Sequence, residues 1–242
     1  MKSALLSLSF FFIFSSTPIF ANDLLVEQFV SALGESDIVL LGEQHKRLES
    51  CRLFAQIIDQ YTLNGKCLTV ALEIRSDQQG VLDHVMRGER PVEDVQISPI
   101  VDHLGYRQML SKFQEFQLQN RCIKVLAIDA PPGLGGRDPW MASTLAPYLS
   151  EGKVIALLGN THVFKKIVWE CESSGPPLGE RLVASGFSVA SVLQHWWEEK
   201  EEKSSRASIF SLEPEDVERA TYFLSILPPK FPGELADGVI RW

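Results

Sequence analysis

Five short runs of apolar, largely β-branched residues set the frame for this chain. They are Asp37–Leu41 (DIVLL), Cys67–Leu72 (CLTVAL), Ile123–Ile128 (IKVLAI), Val154–Leu158 (VIALL) and Phe187–Leu193 (FSVASVL). Polar residues do not alternate with apolar ones in them, so each strand has to be covered on both faces. A parallel sheet between layers of helix provides that cover. The intervening segments are long enough for crossover helices. After the first run, Cys51, Phe54, Ala55 and Ile58 fall on one helical face, and Asn64-Gly65 ends that helix. LGERLVASG before the fifth run reads as a short helix ending at Gly186. The expected fold is α/β: an open, mostly parallel sheet with right-handed crossover helices.

The long connection from Arg75 to Arg121, joining strands two and three, reads as a helical insertion over about 76–121. One helix is expected around Gln78–Arg87 and a second around Ile100–Gln119, with the break GERP between them. The insertion would form a lid or second lobe. Trp196–Arg206 (WWEEKEEKSSR) reads as a solvated loop, and Pro214-Glu215-Asp216 starts a helix expected over Glu215–Leu227. The Pro- and Gly-rich tail LPPKFPGELADGVIRW is expected at the surface.

The first 21 residues are unlike the rest. MKSALLSLSFFFIFSSTPIFA holds one charge, Lys2, and five of the chain's 14 Phe. A basic start, an apolar core from Ala4 to Phe14 and a small residue at Ala21 are the pattern of a cleaved secretory leader. The apolar core falls short of the roughly 20 residues that span a bilayer. The expectation is therefore a leader over 1–21 and one domain over 22–242, with a C-terminal helix and tail over about 203–242, in a periplasmic or secreted protein. No Cys stands at the cleavage point to take a lipid. The net charge of −8, without a basic stripe, excludes nucleic acid as the main partner.

Chemistry collects where the strands end. Strand one runs into Gly42-Glu43-Gln44-His45, strand two into Glu73, strand three into Asp129, strand four into Gly159-Asn160-Thr161-His162 and strand five into Gln194-His195. Parallel strands put all these ends on one edge, where open α/β sheets bind ligands. Glu43, His45, Glu73 and His162 are the candidate catalytic residues: imidazoles serve as general bases, and carboxylates orient them or activate water. The same four are a candidate set for a divalent metal. Asp129 and Asn160 are candidate ligand-binding residues. Each also has an ordinary reading. Glu43 could be a loop carboxylate, His45 a helix cap, Glu73 half of an ion pair and Asp129 a cap on the Pro131-Pro132 turn. His195, beside Trp196-Trp197, reads as packing or interface, and His84 as surface.

The stretches VLLGEQH, VALEIRSDQQGVLDHVMRGE, LGYRQMLSKFQEFQLQNRCIKVLAID and LLGNTHVFKK, with PPLGERL soon after, resemble the ChaN-like group of haem-binding uptake proteins. That group belongs with the Tiki and erythromycin-esterase-like superfamily, and the resemblance spans roughly Asp37 to Leu193. It implies an α/β core with a helical insertion and a polar site of Glu43, His45, Glu73 and His162. It also implies haem or iron as ligand in an envelope uptake pathway, with Tyr106 matching the family's Tyr and His103 on the same helix face. Tiki relatives are metal-dependent proteases and erythromycin-esterase-like relatives are Glu/His hydrolases, so an ester or peptide substrate is the alternative. Envelope uptake components and a second copy of the chain are the candidate partners. ChaN-type proteins are often lipoproteins; this chain lacks the lipobox Cys.

The four cysteines suit an oxidising compartment. Cys67 and Cys122 begin strands two and three and would be neighbours if those strands pair. Cys51, on an apolar helix face, is either a buried thiol or the partner of Cys171. The favoured pairing is Cys67–Cys122 with Cys51–Cys171.

Overall fold

The computed structural model describes residues 21–63, 65–169, 175–196, 209–222, 224, 226–227 and 231–242. The expected leader, Ala21 apart, lies outside these residues. So do Cys171 and the charged loop from Trp197 on.

The main sheet contains β1 (Ile38–Glu43), β2 (Leu68–Arg75), β3 (Ile123–Asp129), β4 (Val154–Gly159), β6 (Val189–His195), β7 (Ile209–Phe210) and β9 (Gly238–Arg241). Their spatial order is β3-β2-β4-β1-β6-β9-β7. The first six run parallel, and β7 pairs antiparallel with β9 at the edge. A separate two-stranded ribbon pairs β5 (Val168–Trp169) with β8 (Ile226–Leu227). The helices are α1 (Ala21–Glu35), α2 (Leu48–Thr62), α3 (Gln79–Met86), α4 (Leu104–Leu118), α5 (Arg137–Leu149), α6 (Leu178–Ala184) and α7 (Pro214–Thr221).

Every residue of β1 and β4 is buried. Alternate side chains go to opposite faces, as the pleat requires. Val39, Leu41, Ile155 and Leu157 join Phe29 of α1, Phe54 of α2 and Phe113 of α4 in one core layer. Ile38, Leu40, Ala156 and Leu158 join Met141 of α5 and Leu182 of α6 in the other. The helical insertion is present: α3 and α4 lie between β2 and β3, and α4 packs on α2. Cys67 and Cys122 form a disulfide across the starts of β2 and β3, closing the insertion at its base. Cys51 is a free, buried thiol, so the expected Cys51–Cys171 pair is not formed; an apolar face of α2 suits a small hydrophobe.

Several expectations change. Helix α1 was not foreseen next to the leader, yet Leu25, Phe29 and Leu33 are among the most buried residues of the core. Helix α5 follows the Gly-rich turn before Arg137 and was not read as an element. Helix α7 stops at Thr221 because Ile226 and Leu227 leave to pair with Trp169 and Val168. The tail is not a surface segment. Its Gly238–Arg241 enters the sheet beside β6, with Val239 and Ile240 fully buried. Its Pro and Gly residues precede the strand, and GVIR itself is short and β-branched.

Candidate functional site

The ends of β1, β2 and β4 meet because their register is tight: Glu43 pairs with Gly159, and β2 lies on the other side of β4. Gly42 permits this closeness. A Cβ there would stand 2.3 Å from Asn160 Oδ1 and 2.8 Å from Val163 Cγ2, in the one-turn helix Asn160–Val163.

Glu43 is buried at the end of β1 and accepts from His45 Nδ1 at 3.0 Å. Directly after His45 the chain turns through Lys46, whose φ of +68° puts a non-glycine residue in the left-handed region. A carboxylate can only accept, so Nδ1 carries the proton and Nε2 of neutral His45 keeps its lone pair. Nε2 lies 4.0 Å from Glu73 Oε2. Burial would lower the His45 pKa; the Glu43 hydrogen bond and the charges of Glu73 and Glu43 outweigh it, and the pKa is raised above 6.5.

His162 repeats the arrangement on the other side. Its Nδ1 donates to Asp138 Oδ1 at 2.8 Å, an oxygen that also accepts the Leu178 N–H. Its Nε2 lies 3.9 Å from Glu73 Oε1. Glu73 therefore stands between two imidazoles, one facing each oxygen. It is buried on β2, accepts the Gly159 N–H at 2.8 Å and receives Arg137 Nη2. Burial would raise its pKa, but the charge of His162, the Gly159 N–H, His45 and Arg137 together hold it lower than usual. Glu73 is the ionised centre of the site.

Arg137 and Asp138 are the site residues that sequence reasoning missed. They open α5 directly after Gly136, whose φ of +78° makes the turn. The signal was there: a Gly-rich run followed by a charged pair at a helix start. Arg137 Nε and Nη2 also grip Asp129 Oδ1 and Oδ2 at 2.8 and 3.0 Å. Asp129 Oδ1 accepts its own neighbour's Ala130 N–H as well. Asp129 thus anchors Arg137. Asn160 is likewise a clip, bonding the Gln194 carbonyl and N–H at 2.9 and 3.2 Å, although it also lines the cleft.

The insertion residues are placed differently from expectation. Tyr106 is fully buried, and its hydroxyl has no hydrogen-bond partner among the described residues. His103 caps α4, its Nδ1 accepting the Gly105 N–H at 3.2 Å, and its Nε2 faces Cys51 Sγ at 3.7 Å. Burial lowers the His103 pKa. Neither residue lines the cleft at the sheet edge. The metal set is also not assembled. Among the described residues, no group of three or more His, Cys, Asp or Glu side chains is placed to hold a metal ion. Arg137 binds Glu73 on the Oε1 side.

A cleft of about 270 Å³ opens over His45, lined by Glu43, Gln44, Gly159, Asn160, Thr161, His195 and α7. His195 thus belongs to the cleft wall. It is almost wholly buried, 3.9 Å from Asp216, and burial lowers its pKa.

No protein-family model matches the chain, and no curated protein matches it in sequence. Solved structures do share its fold. An erythromycin esterase mutant, EreC in its open conformation, superposes with a TM-score of 0.60 at 12% identity over 89% of this chain and 92% of that one. A Bacillus cereus protein gives 0.57 at 11% identity over 91% of each chain. ChaN of Campylobacter jejuni, solved with cofacial haem, gives 0.51 at 17% identity over 74% of this chain and 89% of that one. The chain has the α/β fold that these proteins have in common.

Proposed function

We propose that this protein is a hydrolase of ester or amide bonds that uses His45 as general base. One observation carries the reading: two imidazoles, each fixed through Nδ1 by its own carboxylate, direct their Nε2 atoms at the two oxygens of Glu73, at 4.0 and 3.9 Å. That is an arrangement for moving protons. A purely structural role gives no comparable reason for two part-buried histidine–carboxylate pairs to meet at one carboxylate.

In this mechanism a water in the cleft loses its proton to His45 Nε2 and attacks the substrate carbonyl. Glu43 holds the tautomer and stabilises the imidazolium. His162, oriented by Asp138, gives a proton to the leaving oxygen or nitrogen. Glu73 stabilises whichever imidazole is charged, while Arg137 keeps Glu73 in place. The erythromycin esterase fold likeness agrees with this chemistry. The leader-like first 21 residues and the Cys67–Cys122 disulfide support an exported protein in an oxidising compartment.

The test is a panel of p-nitrophenyl esters and fluorogenic peptides on wild type, His45→Asn and Glu43→Gln. Loss of a positioned base costs about 10²–10⁴-fold in rate. Equal rates in all three proteins overturn the assignment. Haem is the ligand of one fold neighbour, and haemin titration separates that reading. A Soret shift abolished by Tyr106→Phe or His103→Ala would require α4 to open and would displace the hydrolase reading.

A further inference from the structure

Beneath the site, two polar atoms are sealed from solvent without a hydrogen-bond partner among the described residues: Glu43 Oε2 and the Tyr106 hydroxyl. They belong to different elements that the fold presses together. Tyr106 stands in the first turn of α4. Gly105 lets that turn close on α2, since a Cβ there would meet Leu48 Cδ1 at 2.7 Å. Leu48 is the first residue of α2, three residues past His45. The phenol is thereby carried into the core layer that underlies the end of β1.

We propose that Tyr106 is a positioning residue for Glu43: its hydroxyl, through one buried water, supplies the hydrogen bond that Oε2 lacks and so fixes the carboxylate on His45. The inference rests on the reading of Glu43–His45 as the working pair. A buried carboxylate oxygen left without a donor costs more than immobilising one water, and a single water between them would satisfy both orphaned atoms. A phenylalanine would fill the same space, so packing alone gives the hydroxyl no task. Burial first, and then the negative charge of Glu43, push the phenol well up and keep its proton available for donation. Oε1 on the His45 side and Oε2 on the Tyr106 side then leave the carboxylate no freedom to rotate.

The titratable and charged groups acting around this pair are His45 from the loop, Cys51 and, through it, Glu49 from α2, His103 capping α4, Glu73 from β2, Asp129 from β3 and Arg137 from α5. Cys51 stays a thiol, its pKa pushed up by burial.

The experiment is an NMR pH titration of the His45 ring in the full chain, wild type against Tyr106→Phe, with thermal melts of both. In the variant Glu43 turns its whole charge on the imidazolium, and the His45 midpoint moves up by about half a pH unit. A downward move, with Glu43 itself taking the proton, also shows the coupling. An unchanged midpoint, with or without a lower melting temperature, assigns Tyr106 to packing and overturns the proposal. If Tyr106→Phe does not fold, a high-resolution crystal structure of the wild type decides. A water bonded to both atoms supports the proposal; a phenol hydroxyl with no path to Glu43 overturns it. Neither readout uses a substrate, so a negative esterase panel leaves both outcomes legible.

Discussion

Replacing Arg137 by methionine strips one guanidinium from two buried carboxylates at once. Arg137 Nη2 binds Glu73, and Nε and Nη2 bind Asp129 at 2.8 and 3.0 Å. Glu73 is 4% exposed and Asp129 7%. Breaking a fully buried pair costs about 3–5 kcal/mol. Here the loss is smaller. The Arg137 side chain is 46% exposed, so water can replace it on its open side. Glu73 also keeps the Gly159 N–H, and Asp129 keeps that of Ala130. The expected cost is about 2–3 kcal/mol at pH 7, a fall in melting temperature of roughly 5–10 °C for a domain of this size. The sign with pH follows from Glu73. Its folded pKa is depressed, so its contribution is complete above the unfolded value and is lost as pH falls through the folded one. Removing Arg137 moves the folded value back up, so the deficit is full at pH 7 and shrinks in acid as Glu73 takes its proton. Urea unfolding at pH 7 and at about pH 4, with the slope checked for constancy, measures both. Arg137→Lys should fall between, because an ammonium cannot fork across two carboxylates. An unchanged midpoint at pH 7, or a deficit equal at both pH values, refutes the account of Arg137 as the counter-ion of Glu73.

Three further outcomes are expected. Because His45 must be neutral to act and its pKa is raised above 6.5, the hydrolytic rate should climb with pH through a midpoint above 6.5, and Glu43→Gln should move that midpoint down; a pH–rate profile checks it. Gly159→Ala places a methyl 3.1 Å from His45 Nε2 and 3.6 Å from Glu73 Oε2. The rate should drop about tenfold or more while the melting temperature stays near wild type; a variant with normal rate would show that His45 is not held where the structure puts it. Ile240→Ala in β9 removes a fully buried side chain and should cost about 2–4 kcal/mol in urea unfolding, whereas a tail lying on the surface would lose almost nothing.

The sheet was legible wherever a strand was buried on both faces, because an unbroken β-branched run has few other uses. The site followed from it, since parallel strands put Glu43, Glu73 and His162 on one edge with no knowledge of contacts. What escaped was contributed by elements whose sequences carry mixed signals. In GLGGRDPW the glycines mask the helix start that delivers Arg137 and Asp138. The strand GVIR is only four residues long and trails a Pro-rich stretch. Side-chain direction escaped too. Tyr106 stands in the first turn of α4, while His103, expected on the same helix face, caps it from just outside the helix. Which way that helix faces depends on Gly105 and Leu48, a packing contact between segments far apart in the chain. Donor placement escaped as well: residues of metal-ligating types stand at the strand ends, yet among the described residues no three are placed together for a metal ion.

The bond between Cys67 and Cys122 makes a covalent ring of the segment between them, 55 residues apart in sequence. A protease cutting once inside that ring, at the exposed turn around Gly88 or Glu89 for example, would release nothing. The two pieces would stay joined until a reductant was added, and α3 and α4 would remain seated on the sheet. The wall beneath Glu43 is thus built to outlast a cut in its own backbone.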